Sequence, residues 1–247
     1  LGELMKRWIL AAAACSVALF AARPGQAKQL YGNDFEGTAV GSLPAGWEKL
    51  WDANSTASVI KDPVNAANRA FASSDLAHDA SRHDVGGSIY GVGEDGWSDY
   101  IIEYDALFPV DFYMGTLFRY NDDTNFYLFD RRSAGEAGNF DLWHQVGAWN
   151  RINTGPYATD PETWYSFRLD IKGDTFKAYI GTPAERAGFG AADPLFEGTQ
   201  GDLATGKFGL YGLIYIDNLV IGETEDDMTL DVDSRGKVAV TWADMKR

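Results

Sequence analysis

Apolar and polar positions alternate with a period of two through the middle of the chain, and clusters of Gly, Asn and Asp interrupt the alternation at short intervals. Residues 100–108 (YIIEYDALF), 114–120 (MGTLFRY) and 126–132 (FYLFDRR) read as strands. The last two flank Asn121-Asp122-Asp123-Thr124-Asn125 and form a hairpin. Further strands are expected at 140–145, 163–171 and 175–180, with Lys172-Gly173-Asp174 as a tight turn, and 207–211 and 214–221 close the series. Earlier strands fall near 30–35, 58–61 and 69–73. Before residue 222 only 184–188 has room for a helical turn. Short strands at regular spacing predict an all-β fold, an antiparallel β-sandwich of the jelly-roll kind with a short C-terminal appendage.

The first 27 residues follow a different rule. Met5 is followed by Lys6 and Arg7, an almost unbroken apolar run over 8–22, and the breaker Arg23-Pro24-Gly25. This is the pattern of an export signal, with residues 1–4 upstream of it and a cut expected between Ala27 and Lys28. The run is about 15 residues, short of the roughly 20 that span a membrane. The alternative is an uncleaved anchor.

Charge and cysteine content narrow the function. The whole chain carries a net −15, and the portion after Ala27 has 18 basic against 35 acidic residues, net −17. Nucleic-acid binding needs the opposite sign and is disfavoured. No later run is long enough to cross a membrane, so a soluble exported domain at residues 28–222 is expected. The single Cys, Cys15, lies inside the signal, so no disulfide holds the mature fold. The acidic stretch 223–227 is placed as the domain boundary, and residues 229–247 are too few for their own core.

Five segments carry a resemblance. They are Asn33-Asp34-Phe35-Glu36-Gly37 followed by Gly46-Trp47; Leu117-Phe118-Arg119-Tyr120 with Asn125-Phe126-Tyr127-Leu128-Phe129; Trp164-Tyr165-Ser166-Phe167-Arg168-Leu169; Gly206-Lys207-Phe208-Gly209-Leu210-Tyr211; and Tyr215-Ile216-Asp217-Asn218-Leu219-Val220. In this order, over about residues 30–222, the chain resembles the concanavalin A-like lectin/glucanase superfamily, the laminin-G-like jelly roll, including bacterial secreted members of the 3-keto-disaccharide hydrolase type. The superfamily holds lectins, carbohydrate-binding modules, glycosidases and lyases, so the resemblance implies a fold more sharply than an activity.

The hairpin supplies the ligand candidates. If its turn centres on Asp123, then Leu117, Arg119, Tyr127, Phe129 and Arg131 share one face, and Phe118, Tyr120, Phe126, Leu128 and Asp130 the other. The second set is more apolar and is expected to face the core. The first would then lie where the resemblance puts the sugar, on the concave sheet face, with Tyr127 for stacking and Arg119 and Arg131 as donors. Trp143 is a further ligand candidate. The alternative is an ordinary solvent-facing sheet surface.

Catalytic candidates are weaker. Glu103 and Asp105 share a strand face about 7 Å apart at the backbone, a pair a glycosidase could use. Laminarinase-type members carry a third acid three residues after the Asp, and Phe108 stands there instead. The alternative is that the pair meets Arg119 or Arg131 across the sheet. Lyase strand motifs are missing. His144 is the His to test as a base, and His78 and His83 fall in a polar loop. The resemblance also implies a calcium ion joining first strand to last, with Asp34 and Asp217 as ligands and Glu36 as a neighbour. Gly91-Val92-Gly93-Glu94-Asp95-Gly96 fits a dinucleotide pattern but precedes a strand. Asp231 to Gly236 departs from a calcium loop at Arg235.

The sequence therefore points to an exported, secreted or periplasmic, carbohydrate-binding β-sandwich. A glycosidase on the same scaffold and a structural or adhesive surface module are the alternatives.

Overall fold

The computed structural model describes residues 28–51, 55–74, 89–111, 113–132 and 138–230. The export signal, His78, His83 and the stretch 231–247 lie outside the described residues. In chain order the strands are β1 (Gln29–Asn33), β2 (Glu48–Trp51), β3 (Ser58–Lys61), β4 (Arg69–Ala72), β5 (Ile89–Val92), β6 (Tyr100–Leu107), β7 (Met114–Asp122) and β8 (Asn125–Arg131). They continue with β9 (Asn139–Val146), β10 (Ala148–Pro156), β11 (Trp164–Lys172), β12 (Thr175–Gly181), β13 (Phe196–Thr199), β14 (Lys207–Tyr211) and β15 (Tyr215–Gly222).

They form two antiparallel sheets. One runs β13-β12-β11-β6-β15-β4-β3, with β1 also paired to β15. The other runs β10-β9-β8-β7-β14-β5-β2. Strands β2, β5, β10 and β13 are additions to the sequence reading. β2, β10 and β13 are sheet edges, and β10 is mostly exposed, so it carries little apolar alternation to read. Three-ten turns occupy Arg186–Gly188, inside the stretch with room for a helical turn, and Glu225–Asp227.

The expected turns form for local reasons. Asp122 pairs with Asn125 across the β7–β8 turn, and its carboxylate accepts from the Thr124 N–H and the Asn125 side chain. Between β11 and β12 the left-handed position is taken by Gly173, φ 53°.

Between the sheets lies an aromatic core. Tyr104 and Phe167 stack at 5.3 Å with rings 8° from parallel. Phe129 and Phe140 pack against Phe167, Phe196 packs against Phe129, and Phe118, Tyr127 and Phe176 form a second group. A separate apolar cluster of Ile89, Leu117, Tyr120, Phe126 and Leu128 lies on the outer face of the seven-stranded sheet.

This division corrects the hairpin reading. Tyr127 and Phe129 face the interior, and Phe126 and Leu128 face outward. The register pairs Leu117 with Leu128 and Phe118 with Tyr127. A bulge then interrupts β7 between Phe118 and Asp122, with Arg119 in left-handed backbone, φ 47°. Phe118 and Arg119 are both buried inward in succession, and Tyr120 resumes the outer face. Comparing the apolarity of the two faces could not decide which is inside, because the outer face is apolar too.

The acidic stretch after β15 is tied to the sandwich. Thr224 and Asp227 form a capping box, Asp227 is buried, and Glu225 pairs with Arg168 of β11.

Candidate functional site

The outer face of the seven-stranded sheet carries a cavity of about 440 Å³. Its walls are the rings of Trp51, Tyr113, Phe126, Trp143, Trp149 and Tyr211. Ile89 and Leu128 complete the apolar surface, and Asp123, Asp130 and Arg132 supply the polar groups. Strand alternation builds it. Phe126, Leu128 and Asp130 are every second residue of β8, and Trp143 stands opposite Leu128 on β9. Gly147, with φ 69°, turns the chain from β9 into β10 and brings Trp149 round.

Trp149 organises the rings. It meets Phe126 at 5.5 Å, Trp143 at 6.3 Å and Tyr211 at 6.3 Å, each edge to face. It nonetheless remains 46% exposed, which leaves ring surface open to a ligand. A second, polar cavity of about 560 Å³ adjoins the first through Trp51 and Asp123, with Glu48, Lys49, Asp122 and Lys207 among its walls.

At the other end of β8 the polar groups are buried. Asp130 opposes Asp141 of β9, and each is 1% exposed. Arg132 donates to Asp130 Oδ2 at 3.0 Å and lies 3.6 Å from Asp141 Oδ2, which Arg151 also approaches at 3.5 Å. The Arg132 guanidinium lies over the Tyr113 ring at 4.0 Å and faces Trp143 at 5.4 Å. Burial pushes the Asp130 carboxyl up to about 8, against the pull of Arg132 and with a smaller push from Asp141. The Trp143 N–H is near enough to favour its charged form. Even so, Asp130 Oδ1, Asp141 Oδ1 and Trp143 Nε1 are buried with no aligned hydrogen-bond partner among the described residues.

Of the sequence-derived ligand candidates, Trp143 lies in this cavity and three others lie elsewhere. Tyr127 is fully buried, donating to the Gln200 carbonyl and accepting from the Leu203 N–H, both at 3.1 Å. Arg119 is 1% exposed and donates to the carbonyls of Ser98, Gly173 and Leu203 at 2.8–2.9 Å. Arg131 is buried, donating to Thr159 at 2.7 Å and pairing with Asp111 at 2.7 Å. These three hold the interior and its edges and do not offer themselves to a ligand on the outer face.

The Glu103–Asp105 pair sits on the other sheet. Glu103 is bound by Arg168 at 3.0 Å and Arg186 at 3.2 Å. Asp105 accepts from Ser166 and from Asn218 at 2.8 Å, and pairs with Arg186 at 3.2 Å. The pair does meet arginines, but Arg168 and Arg186 take the places expected of Arg119 and Arg131. This is a closed ion-pair network that ties β6, β11 and the 186–188 turn together. His144 lies opposite Tyr127, with Nδ1 3.3 Å from Asp202.

Asp34 keeps Oδ2 buried with no partner among the described residues. Asp217 differs, with Oδ1 accepting from the Asn218 N–H and Oδ2 from Asn68. Among the described residues no group of three or more His, Cys, Asp or Glu could hold a metal ion. Calcium takes 6–8 oxygens, backbone carbonyls among them, so Asp34 and Asp217 would supply only part of its shell.

Sequence reasoning missed Trp51, Tyr113, Phe126, Trp149, Tyr211, Asp130 and Arg132. The available signal was the aromatic alternation on the face assigned to the core, together with Trp143 and Trp149 flanking Gly147.

No protein-family model and no curated protein sequence matches the chain. Among solved structures, a carbohydrate binding module CBM66 from Bacillus subtilis matches with a TM-score of 0.50 at 18% identity, over 71% of this chain and 94% of that one. The GH43 BlXynB protein from Bacillus licheniformis matches with a TM-score of 0.52 at 11% identity, over 78% of this chain, which spans 39% of the length of that one. At these identities the likeness is one of fold, a β-sandwich of two antiparallel sheets, as the strand pattern of the sequence predicts.

Proposed function

We propose that this chain is a carbohydrate-binding domain and that it takes its glycan in the aromatic cavity on the outer face of the seven-stranded sheet. The observation that carries the reading is the ring-lined cavity, with Trp149 at its mouth keeping nearly half its surface exposed. Sugars present apolar C–H faces and hydroxyl edges, and such a cavity supplies surfaces for both. The likeness of fold to a carbohydrate binding module supports it. The adjoining polar cavity suits a glycan longer than one sugar unit.

Binding without hydrolysis is the reading the carboxyls favour. Asp123 and Asp130 both line the aromatic cavity, but Asp123 lies in the turn before β8 and Asp130 near its far end, and the five steps of strand from Asn125 to Asp130 alone cover about 17 Å. Glycosidase pairs stand about 5–9.5 Å apart. The experiment is a glycan array on the purified protein, followed by product assays on every glycan bound. Binding that weakens in Trp149→Ala, with no new reducing ends, supports the reading, and turnover overturns it. An exported location is part of the proposal, and a mass-spectrometric N-terminus at Lys28 in secreted material would support it.

A further inference from the structure

Two cavities meet on the outer face of the seven-stranded sheet, and they share Trp51 and Asp123. Trp51 ends edge strand β2, and Asp123 lies in the turn between β7 and β8. A hydrogen bond ties the two segments together. The Tyr120 hydroxyl, on β7, donates at 3.4 Å to the carbonyl of Leu50, the neighbour of Trp51. On one side of this junction the walls are rings, and on the other they are charges.

Those charges are mainly negative. Glu48, Asp95, Asp122 and Asp123 line the polar cavity with Lys49 and Lys207. Lys207 is held by Glu48 at 2.6 Å and lies 3.6 Å from Asp95, and the Lys49 ammonium lies 5.7 Å from the centre of the Tyr90 ring. Asp122 serves its own turn, and the Thr124 N–H above all holds its carboxyl below the usual range. Asp123 is exposed and takes part in no ion pair or side-chain hydrogen bond among the described residues. Burial first, then the charges of Asp123 and Asp122, push the Tyr120 phenol up to about 12. A tryptophan ring beside a carboxylate with no counter-charge attracts an ammonium group twice over, by the ring quadrupole and by the charge. A neutral hydroxyl gains less there, and a sugar carboxylate is repelled.

We infer that Trp51 and Asp123 form a subsite for the protonated amino group of an amino sugar, so that the glycan running from the aromatic cavity into the polar one carries free amines. Phe126 and Trp149 then take the C–H face of the adjoining sugar unit. An N-acetylated unit has the same skeleton, but its amide is uncharged and loses both attractions.

The inference rests on the proposed glycan cavity, and the experiment separates the two. Calorimetric titration of the full chain uses trisaccharides of glucosamine, N-acetylglucosamine and glucose in the same linkage, with spermidine as an amine that has no sugar. The glucosamine trisaccharide should bind about tenfold tighter than either neutral one. Asp123→Asn should bring the trisaccharides within about twofold of one another, and Trp51→Leu should cut the preference about threefold. Asp226→Asn removes the same charge from the turn after β15 and should keep the parent's preference. Equal binding of the trisaccharides by the parent protein overturns the inference. An unchanged preference in Asp123→Asn or in Trp51→Leu also overturns it. So does a preference lost equally in Asp226→Asn, which is attraction to net charge alone, or spermidine binding as tightly as the glucosamine trisaccharide. In each of these cases weakened trisaccharide binding by Trp149→Ala keeps the cavity reading. Parent-like binding by Trp149→Ala, or no binding of any trisaccharide, removes the cavity reading as well.

Discussion

Trp149, on edge strand β10, and Tyr211, on β14, meet edge to face with ring centroids 6.3 Å apart, although β9, β8 and β7 lie between their strands. Four strand steps in a flat sheet cover about 19 Å. The gap closes because both long side chains reach across the face of the sheet toward the rings between them, and sheets twist as they widen. The result is a ring-walled cleft whose floor is the outward alternation of β8.

That relationship predicts which aromatic changes affect binding without affecting the fold. Trp149→Ala should weaken glycan binding by about 1 kcal/mol, roughly fivefold. Its Tm should stay close to the parent, because Trp149 is already half exposed. Titration and thermal melts on the same sample check both. A large fall in Tm would mean that Trp149 is there to hold β10 in place.

Arg119 should behave in the opposite way. Its guanidinium ties Ser98, Gly173 and Leu203, three separate loops, from within the fold. Arg119→Ala strands those carbonyls and should cost roughly 3 kcal/mol of stability. Glycan affinity of the remaining folded protein should be unchanged. Denaturant titration measures the first and calorimetry the second.

Asp130 gives a pH signature. An unfolded carboxyl releases its proton near 3.8, while in the fold burial holds it to about 8. Between those values the folded state binds the extra proton, so this group lowers stability as pH rises from about 4 to about 8, and adds nothing further above. Asp130→Asn has no proton to lose. The difference in Tm between variant and parent should therefore grow in the variant's favour from pH 5 to pH 8. A difference independent of pH would show that Asp130 ionises normally.

Glu103→Gln tests the network on the eight-stranded sheet. Gln keeps only one acceptor oxygen, so one of Arg168 and Arg186 would face an amide NH2 in place of the oxygen it binds. Stability should fall by about 1–2 kcal/mol, and neither glycan binding nor any product assay should change. Loss of a sugar-cleaving activity in this variant would restore Glu103 as a catalytic residue.

Calcium is checked by chelation. With both Asp217 oxygens accepting from N–H groups, the Tm is expected to be the same with and without chelator. A fall that added calcium reverses, and that Asp217→Ala abolishes, would establish the clasp between Asp34 and Asp217.

Much of the fold was legible along the chain. Local chemistry settled the strands from β6 to β8 and β11 to β12. Period-two alternation marks a half-buried strand, and Asp122, Asn125 and Gly173 set their turns within a few residues. Trp143 was also legible, as an aromatic on a strand whose neighbours alternate.

Which face is inside was a different kind of question. The sequence by itself determined that Phe126, Leu128 and Asp130 share one side of β8, because side chains alternate whatever the strand packs against. Only the tertiary structure decided that this side is the outside. A cleft wall built of Trp and Phe has the same composition as a core, so apolarity could not separate them. The bulge at Arg119 then reversed the alternation on β7, and its left-handed backbone depends on Tyr100, Ser98 and Leu203, which are distant in the chain. The meeting of Trp51, Trp149 and Tyr211 in one cavity has the same origin. Their strands are brought together by the order and twist of the sheet, a long-range pairing that no local spacing encodes.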